Sequence, residues 1–165
     1  MIRAVAGDLA SMPVDAVVRP ANTRLEPLLP ALRQLDRAAG PRFLEQIVVK
    51  RELGVGAAVV TGAGDLPAEF VIHLVLGSAA DTVTTDSVRR AVEAAMFQCT
   101  QWQLDTLASP IPSAGNLASE AAADTLVQVA QAHMQKAPHP ATLLLVTATA
   151  AEAESLNARI GEARA

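Results

Sequence analysis

The chain has 165 residues, of which 51% are apolar and 18% charged, and its net charge is −4. This excludes a disordered chain. The length is most simply one domain, 1–165, able to bury a core without disulfide or metal. No apolar run approaches the roughly 18 residues that span a bilayer. The strand-like N-terminus lacks a signal-peptide pattern. Lys and Arg form no basic stripe of the kind that neutralises nucleic-acid phosphates. Cys99 is the only cysteine, which leaves no disulfide framework and no thiolate metal cluster. Aromatic residues are 2%, with no Tyr, so few rings are present on which a base could stack. The expectation is a cytoplasmic protein with no membrane segment, no nucleic-acid partner and no cofactor.

In chain order, residues 2–6 and 14–19 read as strands. From Pro27 to Ala39 the pattern turns helical, with Leu28, Leu32 and Leu35 at three- and four-residue spacing. Pro27 suits a first helical position, and Gly40-Pro41 breaks the run. Phe43, Ile47 and Leu53 predict a further helix ending at Gly54. Residues 57–61 form a short strand closed by Gly62-Ala63-Gly64, and 70–76 is the continuous apolar run of a buried strand. Thr85 or Asp86 caps a long helix with Val88, Val92, Ala95, Cys99 and Trp102 on one face. Residues 106–111 form a strand that runs into Pro-Ile-Pro-Ser-Ala-Gly. Ser119 opens a helix with Ala122, Leu126, Val129 and His133 inward. Residues 141–147 are the last strand, and Leu156 and Ile160 mark a C-terminal helix. The alternation predicts a three-layer α/β/α sandwich. The stretch 7–13 is too short for a helix between the first two strands, which predicts a mixed central sheet of about six strands.

Two strand ends each deliver a short polar side chain, Asp8 and Asn22. Ligands of open α/β sheets sit outside the carboxyl ends of strands, so these are the first candidate site residues. Asp8 is acceptor-only and could take a hydrogen bond from a ligand N–H, or cap the following turn. Asn22 offers both donor and acceptor to hydroxyls, or bridges its own loop. Ser113, Ala114, Gly115 and Asn116 follow a strand and precede a helix, where backbone N–H groups favour an anion; an ordinary strand–helix turn is the alternative. Arg19, Arg24, Arg33 and Arg37 cluster in sequence, either to attract a diphosphate or as solvated surface charge. His73 reads as a satisfied core residue and Cys99, beside Trp102, as core. His133 and His139 have no metal-ligand spacing. No Gly-x-Ser-x-Gly elbow or Walker loop occurs.

These pieces together resemble the macro domain family, the ADP-ribose-binding α/β/α module. Gly7-Asp8-Leu9 matches its Gly-Asp-Ile strand end. Residues Val14 to Asn22, VDAVVRPAN, match its Val-Asp-Ala-Ile-Val-Asn-Ala-Ala-Asn run. Ala38-Ala39-Gly40, the segment Gly56 to Gly62, Leu66-Pro67-Ala68, Val71-Ile72-His73 and the loop Pro110 to Gly115 follow in the family's order. The resemblance implies a ligand site at Asp8, Leu9, Ala21, Asn22, Ser113, Ala114, Gly115 and Asn116, with Asp8 accepting from an adenine amine.

The departures bear on function. After the second Asn the family carries a run of glycines and then Val-Asp-Gly-Ala-Ile-His, which lets backbone approach a diphosphate and the distal ribose. The same span here, without a gap, reads Pro27-Leu28-Leu29-Pro30-Ala31-Leu32-Arg33-Gln34-Leu35-Asp36. Leu32 stands where hydrolase-active members carry Asp, and Arg19 replaces the first Asn. The second phosphate loop keeps one glycine and no ring. The resemblance so read implies weak binding of ADP-ribose or a related nucleotide without turnover. Its alternatives are a macro fold that has lost the ligand and serves oligomerisation or partner contact, and, last, an ADP-ribosyl or O-acetyl-ADP-ribose ester hydrolase. Leucines at 28, 29 and 32 could fill the cleft that glycines leave open.

Overall fold

The structure is a computed structural model that describes residues 1–164. Six strands form one sheet in the order β1-β6-β5-β2-β4-β3. They are β1 (Ile2–Ala6), β2 (Ala16–Asn22), β3 (Ala58–Gly62), β4 (Phe70–Gly77), β5 (Thr106–Ser109) and β6 (Thr142–Thr147). All neighbours are parallel except β3, which runs antiparallel to β4 at the edge. The expected three-layer sandwich with a mixed sheet of six strands is therefore present. Its antiparallel pair is β3–β4, however, and not the first two strands. β1 lies at the far edge against β6, with β6 and β5 between it and β2, so residues 7–15 cross the sheet end. They include a short 3-10 turn, Leu9–Ser11.

Helices α3 (Thr85–Trp102), α4 (Ser119–Met134) and α5 (Ala150–Arg164) cover one face; α1 (Leu32–Ala39) and α2 (Pro41–Gln46) lie on the other. Strand alternation sorts the two cores. Ala16 and Val18 with Ile72, Leu74 and Leu76 face α3 and α4, while Val17 and Val71 face α1 and α2. α1 buries Leu32, Leu35, Asp36 and Ala39, an i, i+3, i+4, i+7 stripe.

Four expectations are corrected. The helix over 27–39 begins only at Leu32, because Pro27 makes a β-bridge to Ala21 and Leu28 N–H donates to the Pro20 carbonyl at 3.2 Å. The helix expected from Phe43 to Gly54 is α2 alone, and residues 47–57 are irregular. Trp102 is 54% exposed and tilts against Phe70 at 5.4 Å, since it sits on the last residue of α3, past the sheet. The N-cap of α3 is Thr84, whose hydroxyl accepts from Ser87 N–H at 3.0 Å while Ser87 Oγ accepts from Thr84 N–H. On α4, Ala122 and Leu126 are buried as expected, and Val129 and His133 are half-buried.

Candidate functional site

The strand order reverses at β2. The chain passes from β2 to β4 on one side, and β5 lies on the other. A crevice therefore opens between the carboxyl ends of β2 and β5, where ligands of such sheets bind. β5 pairs only with Ala16 and Val17, so the upper part of β2 keeps a free edge. Residues 26–28 fold back along it: Asn22 N–H donates to the Glu26 carbonyl at 3.0 Å, and Leu28 N–H to Pro20.

This fold-back uses the Asn22 side chain. Its Oδ1 accepts from Arg24 N–H at 2.9 Å and Glu26 N–H at 3.0 Å, and its Nδ2 donates to Glu26 Oε1 at 3.1 Å. Asn22 thus bridges its own turn. Asp8 likewise caps the 3-10 turn, with Oδ1 accepting from Ala10 N–H at 3.1 Å and Oδ2 from the Ser11 hydroxyl at 3.2 Å. It stays exposed, and carboxylate lone pairs remain for a further donor. Leu9 is half-buried beside it and Ala21 is fully buried.

Across the crevice, Ala114 is buried, Gly115 takes φ +61°, and Leu117 N–H donates to the Ala114 carbonyl at 3.2 Å. Ser113 is half-buried and Asn116 exposed. α4 then starts at Ala118 without a side-chain cap, so its first N–H groups keep their capacity for an anion. Residues 113–116 thus lie in the connection between β5 and α4.

On the 27–33 side, donors are scarce. Pro27 and Pro30 have no N–H. Leu28, Leu32 and Arg33 give theirs to Pro20, Leu29 and Pro30 carbonyls. That leaves Leu29 and Ala31. Leu28 and Leu29 are half-buried and pack on the core facing α3 and α4, Leu29 reaching the opposite core as well; Leu32 is 1% exposed. Side chains of Leu28 and Leu29 therefore stand, half-buried, on this side of the crevice.

Beneath this loop lies a buried polar group that sequence reading placed on the surface. Arg19 is 0% exposed. Its Nε and Nη2 donate to Asp36 Oδ1 and Oδ2, each at 2.8 Å, and its Nη1 donates to the Leu25 carbonyl at 2.7 Å. The same Nη1 lies 3.3 Å from His73 Nδ1. An arginine can only donate, so Nδ1 accepts and the proton sits on Nε2, which donates to the Thr61 hydroxyl at 2.9 Å. Burial, and then the Arg19 charge, push the His73 pKa down to about 3. His73 is the satisfied core residue that was expected. Phe43 stacks on its ring at 5.8 Å and lies 5.7 Å from the Arg19 guanidinium carbon. Leu25, whose carbonyl Arg19 holds, has φ +60°, a left-handed backbone that costs a non-glycine residue about 1–2 kcal/mol.

One further cavity, of about 400 Å³, opens at the same sheet edge, between the starts of α4 and α5. Ile111, Ser119, Glu120, Thr147, Glu152 and Arg159 are among the residues that line it, and none of the eight candidate residues does. Thr147 could have been found by the rule that singled out Asp8, since it too ends a strand. Among the described residues no group of three His, Cys, Asp or Glu is placed to hold a metal, and no helix is long and apolar enough to cross a membrane.

A family model described as Macro domain matches residues 18–134. The chain belongs to the macro domain family. A macro domain-containing protein of Methanosarcina mazei is 31% identical over 153 residues, which cover 88% of this chain and 80% of that protein. An O-acetyl-ADP-ribose deacetylase of an Enterobacter species is 44% identical over 78 residues, 45% of this chain and 43% of that one. An uncharacterized protein of Mycobacterium tuberculosis is 39% identical over 66 residues, 40% of this chain but only 18% of that protein. This chain thus spans a small part of the length of such mycobacterial relatives. Among solved structures, a mutant of the Oceanobacillus iheyensis macrodomain with ADPR superposes with a TM-score of 0.84 at 20% identity, covering 98% of this chain and 91% of that one. The Trypanosoma brucei macrodomain in complex with ADP-ribose gives 0.84 at 19%, covering 97% and 69%. At that identity the likeness is one of fold.

Proposed function

We propose that this macro domain holds ADP-ribose, or a nucleotide related to it, weakly and without turning it over. The observation that carries the reading is the donor shortage along 27–33. Two prolines, three committed N–H groups and packed leucines occupy the span where the family's glycines bring backbone to a diphosphate. Oriented N–H groups are what hold such an anion, so their loss weakens binding without removing it. Asp8 remains exposed for a base amine, and the Ser113–Asn116 turn with the uncapped start of α4 remains for a phosphate. Leu32 supplies no carboxylate to act on the ligand, and Asp36 is committed to Arg19. The Oceanobacillus and Trypanosoma neighbours, solved with ADPR and ADP-ribose, support the ligand class. The Enterobacter relative keeps ester hydrolysis as the activity to test against.

A second reading, in which the fold has lost the ligand and serves partner contact, rests on the half-buried leucines Leu28 and Leu29 beside the crevice, Leu29 packing on both cores. Calorimetry with ADP-ribose separates the two. Binding that disappears in Asp8→Ala supports the first. Absence of heat at about 1 mM ligand, a ceiling of about −4 kcal/mol, leaves the second. Acetate release from O-acetyl-ADP-ribose would overturn both.

A further inference from the structure

Charge is unevenly shared along this chain. Residues 19–52 carry seven Lys or Arg against four Asp or Glu, a net of +3, which leaves −7 for the rest. One of the seven, Arg19, is buried against Asp36. The other six, Arg24, Arg33, Arg37, Arg42, Lys50 and Arg51, are all exposed. Arg24 lies 3.5 Å from Glu52, and Arg37 donates to Gln34 Oε1 at 3.3 Å. Among the described residues, the side chains of Arg33, Arg42, Lys50 and Arg51 have neither an ion pair nor a hydrogen bond. On the opposite face of the sheet the arginines are committed: Arg89 and Arg90 pair with Asp86 at 3.3 and 3.1 Å, and Arg159 with Asp124 at 2.7 Å.

The second feature is apolar. Phe43 is the residue of α2 that enters the core, so the others turn outward. Leu44 is 45% and Val48 75% exposed. Ile47 N–H donates to the Phe43 carbonyl and Val48 N–H to the Glu45 carbonyl. The helical winding therefore continues to Val48 and sets it on the side of Leu44. An exposed aliphatic pair is thus flanked along the chain by Arg42 and by Lys50 and Arg51, with Arg37 across the Gly40 corner. Glu45 is exposed beside the pair, and Glu52 is taken by Arg24.

We propose that α2 and the 47–51 turn form a docking surface for an acidic, leucine-bearing segment of another protein. Exposed aliphatic residues among cations, with Arg in excess of Lys, match the composition of a protein interface. Uncommitted guanidinium forks fit carboxylates bidentately. A lipid surface or a nucleic acid would favour exposed rings, to anchor among headgroups or to stack on bases. The one ring within 37–51 is Phe43, which is 0% exposed. A second copy could offer the carboxylates of α4 and α5, such as Glu152 and Glu162. Those lie on the other face of the sheet, so that pairing would add chains head to tail without closing. None of residues 37–51 belongs to the ligand site proposed above.

The probe is a fluorescein-labelled peptide of Glu-Glu-Leu-Leu repeats, followed by fluorescence polarisation and by amide shifts of the isotope-labelled protein. A Lys-Lys-Leu-Leu peptide of the same length serves as control. The expected result is saturable binding of the acidic peptide, weakened by added salt, with the largest shifts within 37–51. Affinity should fall at least tenfold in the exposed double variant Arg42→Glu, Arg51→Glu and several-fold in Leu44→Ser, Val48→Ser, each shown to be folded. ADP-ribose at about 1 mM should leave it unchanged, which separates this surface from the nucleotide site. Equal binding of the basic peptide, indifference to either double variant, shifts elsewhere, displacement by ADP-ribose or no binding at about 1 mM peptide would overturn the assignment. So would tighter binding to phosphatidylglycerol vesicles or to oligothymidine, lost in the arginine variant, which would make the partner a membrane or a nucleic acid. A mass in light scattering that grows with concentration, and is lost in the same variant, would make it a second copy and would overturn it too.

Discussion

Arg19 on the central strand and Asp36 on α1 are joined by two parallel hydrogen bonds of 2.8 Å, buried under Phe43. They stand where the family's pattern has the first Asn of its Asn-Ala-Ala-Asn run and the closing His of the glycine-rich segment. Two departures from the family's pattern are therefore in direct contact. The third arm of the guanidinium holds the Leu25 carbonyl, so the same side chain that pins α1 to the sheet also pins the turn that follows β2.

A buried pair of this kind is costly to break on one side. Asp36→Ala leaves the guanidinium uncompensated and should destabilise the fold by about 3–5 kcal/mol. Arg19→Met with Asp36→Leu removes both charges and should recover most of that loss, because apolar replacement of a buried pair is often neutral. Guanidinium unfolding of Arg19→Met, Asp36→Leu and the double variant gives the coupling energy directly. Additive losses would show that the pair is not coupled.

His73 makes stability depend on pH with a definite sign. Its folded pKa, about 3, lies below the unfolded value of 6.5. Between those values the unfolded chain binds a proton that the folded chain refuses, so stability falls as pH falls from 6.5 and levels off below 3. From pH 7 to pH 5 this residue alone should cost about 2 kcal/mol. His73→Gln should flatten that part of the curve, whatever its effect at pH 7. A wild-type urea midpoint unchanged between pH 7 and pH 5, or an equal drop in His73→Gln, would contradict the assignment.

The end of α3 carries strain that no buried contact needs. Gln103 is the C-cap of that helix in the left-handed region at φ +54°, and it is exposed. Gln103→Gly should raise stability by about 0.5–1 kcal/mol. Thermal unfolding checks this, and a lowered midpoint would show that the Gln side chain contributes more than its backbone costs.

Much of this was readable from the chain itself. The sheet and the buried faces of α1, α3 and α4 follow from periodicity, because apolar spacing is set by the element that buries it. The buried polar group was readable too. Arg19 lies between Val17 and Ala21 on the inward side of a strand, and Asp36 falls in the Leu32, Leu35, Ala39 stripe. Each alone looks like a surface charge; the pair is visible only when strand and helix parity are taken together. The length of α2 was not readable, since residues 47–57 are ordered by tertiary contacts such as Leu53 N–H to the Thr23 carbonyl at 2.8 Å. Nor was the cavity between the starts of α4 and α5, because spacing along one helix says nothing of its distance to another. Asp8 and Asn22 were placed at the strand ends correctly, but their local hydrogen bonds depend on turn geometry that residue type leaves open.

On the weak-binding reading the Pro27–Pro30 segment, tied to β2 at Pro20 and Ala21, limits diphosphate recognition. Its most direct test is calorimetry of ADP-ribose on the wild type and on a variant with Pro27, Leu28, Leu29 and Pro30 all changed to Gly, each shown to be folded. Restored N–H groups should tighten binding at least tenfold, about 1.4 kcal/mol. Equal or weaker binding by the folded glycine variant would contradict the claim.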